Sequence, residues 1–191
     1  MFVLCCANSS ISIYIPVVVQ RVFESSVLVA GYFHSLEAIA WSIAAICAAY
    51  FAAVKPLAYI RAGTLAMTLG MFMLAFSVIS ASFVLAIIAI ALCGGGIGMF
   101  WSHATSIVVN NVDSNLAERA SSSLSSLQLL AYGFSAALSG SIVNLTDPST
   151  LQTTEYLAVG SQYLFLTFGV FSLISFCVAC SVKPDLSKIP A

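Results

Sequence analysis

The chain has 191 residues, 61% hydrophobic and 7% charged, whereas a soluble domain averages ~45–50% and ~25%. Water cannot be its main solvent, and a formal net charge of −1 with scattered charges offers no basic surface for nucleic acid. At ~20 residues per spanning helix, the length holds six spans and their connections and excludes an additional soluble catalytic domain.

Apolar stretches run over residues 2–22, 28–53, 57–80, 83–109, 119–144 and 158–182. All are helix-length, since a barrel strand needs only ~10 residues and alternates in polarity. The expected fold is all-α and polytopic. The first stretch lacks a basic leader and stays apolar through Val19, which argues against a cleaved signal peptide. It carries Asn8, Ser9, Ser12, Tyr14 and Pro16, polar groups at substrate depth in an interior helix, with Pro16 predicting a kink. A polar break at 21–26 precedes the second stretch, where His34, Glu37 and Trp41 share one helical face. Lys55 and Pro56 separate it from the third. The third and sixth stretches have no interior charge, so they are predicted to be outer, lipid-facing helices. The fourth contains Gly94, Gly95, Gly96 and Gly98, then Trp101, Ser102 and His103. Gly94 and Gly98 form a small-x-x-x-small pair that lets helix backbones approach. No strand precedes these glycines and no Gly-Lys-Ser/Thr follows, so a nucleotide-cradling loop is rejected. The fifth stretch places Ser121, Ser125, Gln128, Tyr132, Ser135 and Ser139 in steps of four and three, a polar stripe that must face protein or an aqueous cavity. The loop at 145–155, with Asp147 and Pro148, leads into the sixth stretch and a short tail at 183–191.

Cys5, Cys6, Cys47, Cys93, Cys177 and Cys180 all fall in apolar runs and are expected as free thiols. Cys177 and Cys180 form a Cys-x-x-Cys with no second ligand pair, so no metal or other cofactor is expected. Lys55, Arg61, Arg119, Lys183 and Lys188 fall on one side of the membrane and Arg21 on the other. The bias predicts a multi-pass protein of the cell (inner or plasma) membrane with both termini cytoplasmic.

Comparison of the first three spans with the last three aligns Ser35, Leu36, Glu37, Ala40 and Trp41 with Ser126, Leu127, Gln128, Ala131 and Tyr132. The match predicts two inverted three-helix repeats, about 1–80 and 83–182. It makes Glu37 and Gln128 equivalent, each about ten residues into its helix and ~15 Å deep.

Tyr14, Pro16 and Gln20, followed by Ser25 to Ala30 and Gly31, resemble the Tyr-x-Pro-x-x-x-Gln and Ser-x-x-x-Ala-Gly patterns around the seventh-to-eighth helix turn of the major facilitator superfamily. The glycine run at 94–98 is similar to that family's tenth helix, and Glu118-Arg119-Ala120 to the start of its eleventh. Nearly the whole chain thus resembles the C-terminal half of a drug:proton antiporter. The connection through Lys55 and Arg61 departs from the family's Gly-x-x-x-Asp-Arg-x-Gly-Arg-Arg by lacking the Asp. The resemblance implies proton-coupled efflux of small lipophilic or drug-like compounds by alternating access, with substrate between two halves. The partner would be a missing N-terminal six-helix half or a second copy.

Glu37 is the first candidate for proton coupling, because a carboxylate inside a bilayer is costly and usually functional. His34, one turn away, is the candidate to exchange protons or pair with it. Asn8, Ser12, Trp41, Trp101, His103, Gln128 and Tyr132 are candidates for the substrate cavity, the aromatic ones as faces for lipophilic or cationic compounds. Metabolite uptake by the same fold, or a non-transporting scaffold or truncated remnant, are the alternative readings. An intramembrane serine protease is rejected, because Ser139-Gly140 lacks the leading Gly of Gly-x-Ser-Gly and no His follows it.

Overall fold

The computed structural model describes residues 1–51, 56–113, 115–146 and 154–182. Among them the chain forms α1 (Phe2–Arg21), α2 (Val27–Phe51), α3 (Pro56–Ile79), α4 (Phe83–Asn110), α5 (Ala117–Thr146) and α6 (Thr154–Ser181), with no strand. All six helices are long and apolar enough to cross a membrane. Lys55, the Asp147 and Pro148 loop, Lys183, Lys188 and the 183–191 tail lie outside the described residues.

Helix ends follow local chemistry. Ser82 caps α4 by accepting from the Leu85 N–H at 3.4 Å, satisfying a donor that no intrahelical carbonyl reaches. Glu118 and Glu155 sit in the first turns of α5 and α6, where a carboxylate complements the N-terminal dipole. These helices start at Ala117 and Thr154, earlier than the apolar runs at 119 and 158. Between α3 and α4 the chain reverses through Ala81 at φ 47°, with the Ser82 N–H donating to the Ser77 carbonyl at 3.0 Å. α1 continues as helix through Pro16, which has no N–H to offer the Ser12 carbonyl.

α4 packs against α2 and α3, α1 against α5 and α6, and α3 against α6. The third helix is 56% buried along its span within the bundle, against 17% for α2 and 22% for α5, and it keeps Leu65, Leu69, Phe76 and Ile79 exposed as an apolar face. Gly63 explains the intimacy. A Cβ there would lie 2.6 Å from the Gly96 carbonyl oxygen of α4, so the two backbones meet directly. Thr64 and Thr68 are buried in the same helix and donate to the Ile60 and Thr64 carbonyls at 2.9 and 2.8 Å. Absence of charge permits lipid contact without requiring it. Met67, Met71 and Leu74 of α3 are fully buried, as are Phe165 and Phe168 of α6.

Candidate functional site

Glu37 is 4% exposed on α2. Its Oε2 stands 3.5 Å from Nδ1 of His34, whose side chain is 58% exposed. The i,i+3 spacing puts both on one face of the helix, with the imidazole outward and the carboxylate inward. Protonated, His34 supplies the positive charge that a buried carboxylate requires.

The glycine run of α4 fixes where Glu37 sits. A Cβ on Gly94 would strike the Glu37 carbonyl oxygen, and one on Gly98 the Trp41 carbonyl oxygen. Gly96 turns the other way, toward Gly63 and Met67 of α3. The run therefore has two faces, and residues 94 and 98 seat α2 at the level of its carboxylate. Trp41 is half-buried one turn beyond.

α1 and α5 bring the remaining polar groups. Ser135 donates to the Cys6 carbonyl at 2.8 Å, and the Cys6 thiol to the Ala131 carbonyl at 3.6 Å. One turn along, the Tyr132 hydroxyl lies near the Ser9 and Ser12 hydroxyls of α1. Asn8 is 4% exposed and its Oδ1 has no partner among the described residues. The structure thus joins Glu37 with His34 and brings Tyr132 near Ser12. Gln128 is half-buried one turn before Tyr132.

The polar stripe of α5 is divided by the packing. Ser121 and Ser125 are exposed and donate back to the Ala117 and Ser121 carbonyls, whereas Ser135 and Ser139 are buried. His103 belongs to a different place. It stacks on Tyr59 at 5.1 Å between ring centroids and borders a cavity of about 430 Å³ with Ser106, Asn110 and Asn111. Trp101, half-buried, packs against the core.

Sequence reasoning gave Ser9 no separate role, although it lies with Ser12 beside Tyr132; its spacing of four from Cys5 and three from Ser12 was the available signal. It also treated Arg61 only as a topological charge. The guanidinium in fact closes the end of α6, with Nε donating to the Ala179 carbonyl at 3.1 Å and Nη2 to the Val182 carbonyl at 2.8 Å. The orphan carbonyls of a helix C-terminus and its negative dipole end both favour such a cation.

A family model described as Major Facilitator Superfamily matches residues 1–139, from the start of α1 to the buried Ser139 of α5. No curated protein matches the chain.

Proposed function

As the chain belongs to the major facilitator superfamily, whose members move solutes across membranes, we propose that it is one six-helix half of a proton-coupled exporter of small lipophilic compounds. Glu37 is the coupling group, loaded and unloaded as the site faces either side in alternating access. The observation that carries this reading is the acid itself: a 4% exposed carboxylate about ten residues into a spanning helix, answered by His34 at 3.5 Å. Such a group is retained at this depth for function rather than stability.

Packing favours two inverted repeats. Exchanging the first three helices for the last three maps α4 on α2 and α3 onto α1 on α5 and α6, and leaves α3 on α6 unchanged. The substrate wall is drawn from α1, α2 and α5, with Asn8, Ser12, Trp41, Gln128 and Tyr132 in it. The exposed Tyr32, Ile39, Leu129 and Leu130 form the side that meets a second six-helix half, of different sequence or a copy of this one. The end carrying Arg61 is cytoplasmic, following the lysine and arginine bias.

The test is Glu37→Gln in the assembled transporter reconstituted in vesicles. Transport driven by a pH gradient should fall to background while substrate exchange at equal pH on both sides continues. Gradient-driven transport at the native rate would overturn the role of Glu37.

A further inference from the structure

At the end of the bundle where Arg61 lies, α1, α3, α4 and α6 enclose a crevice of about 390 Å³. This lies within the ~300–1,000 Å³ range of small-ligand sites. Its wall includes Leu57 and Ile60 of α3, Ala104 of α4, and Val178 and Ala179 of α6; Ser175 is its one polar lining side chain. Arg61 follows Ile60 directly, and its guanidinium spans from α3 to the carbonyls of Ala179, Cys180 and Val182. Arg61 thus stands behind two lining residues, bonded to the carbonyls of Ala179 and Val182, and its Nη1 donates to none of the described residues. A guanidinium whose Nη1 is not used by the described residues suits a phosphate oxygen, and a slot with a single serine among apolar walls suits hydrocarbon.

We propose that this crevice binds one acyl chain of a phospholipid from the adjacent leaflet, with the lipid phosphate on Arg61. Charge and apolar lining select the same molecule. The bilayer supplies it at high concentration, and the contact joins the ends of α3 and α6 through a ligand as well as through the arginine. The site is separate from Glu37 and does not depend on the transport reading.

The experiment is native mass spectrometry of the full-length protein purified in detergent and titrated with phosphatidylglycerol, with diacylglycerol of the same chains in parallel. One phosphatidylglycerol should bind per chain, more tightly than diacylglycerol. Ala104→Leu with Ala179→Leu fills the slot and leaves Arg61 in place; it should weaken phosphatidylglycerol about tenfold, equivalent to ~1.4 kcal/mol. Arg61→Gln should remove the preference over diacylglycerol. Unchanged binding in the filled variant, no saturable binding, or equal affinity for the two lipids in the native protein would each overturn the proposal. The filled variant decides the matter if Arg61→Gln fails to fold.

Discussion

Burying a carboxylate is tolerated only where its charge is answered or removed, and at Glu37 the answer comes from the exposed His34. The imidazole Nδ1 faces the carboxylate at 3.5 Å and can donate to it as imidazolium or as the Nδ1–H tautomer. His34→Ala should therefore slow gradient-driven transport, read as initial rates in reconstituted vesicles. A native rate would show that His34 does not act on Glu37. Tyr132 stands apart from that pair, beside the Ser9 and Ser12 hydroxyls of α1. Tyr132→Phe keeps the ring and removes only the hydroxyl. Ser9 donates to the Cys5 carbonyl at 2.7 Å and keeps that partner, so the expected cost is below about 1 kcal/mol, measured by thermal unfolding in detergent. Glu37 was legible in the sequence because an acid inside an apolar run has few explanations. Ser9 was not, because serine satisfies itself on its own helix and its contact with α5 depends on tertiary packing.

At the scale of elements, α4 is the ruler of the fold. Its glycines contact two neighbours, and they do not tolerate a methyl group equally. On Gly94 or Gly98 it would meet backbone of α2, which cannot swing aside, whereas on Gly95 its nearest neighbour is the Ala44 Cβ at 3.9 Å. Gly94→Ala and Gly98→Ala should each destabilise by about 1–3 kcal/mol, as overpacking does. Gly95→Ala should stabilise by about 0.5–1 kcal/mol through helix propensity. Melting temperatures of the three variants test the ordering, and a stabilised Gly94→Ala would mean that α2 is not seated there. The small-x-x-x-small spacing made Gly94 and Gly98 readable as a packing seam. The six spans were readable because the length of an apolar run is set by the bilayer. The burial of α3 was not readable: its signal is Gly63 meeting Gly96, and a lone glycine in one helix does not name its partner in another. The clamp of Arg61 on α6 escaped for the same reason, since the two ends meet only after the bundle closes.

At the scale of the whole molecule, burial is distributed unevenly. α1 and α3 are more than half buried along their spans, α2 and α5 less than a quarter, although α2 carries the best-buried acid. The proposed pairing with a second half across α2 and α5 accounts for this asymmetry, because the surface completing the core would then lie on the other half. The cysteines report on it without substitution. All six are free; Cys47, Cys177 and Cys180 are exposed, while Cys5, Cys6 and Cys93 are buried. Cys47 and Cys177 each lie four residues before the end of their helix, Phe51 and Ser181, or ~6 Å along the axis. Depth therefore does not distinguish them; the helix they occupy does. In the assembled transporter a membrane-permeant maleimide should modify Cys177 and Cys180 of α6 readily and Cys47 of α2 more slowly. The buried three should react only after denaturation, with peptide mapping giving the order. Cys47 reacting as fast as Cys177 would mean that its side of α2 stays open in the assembly and that the second half meets the chain elsewhere.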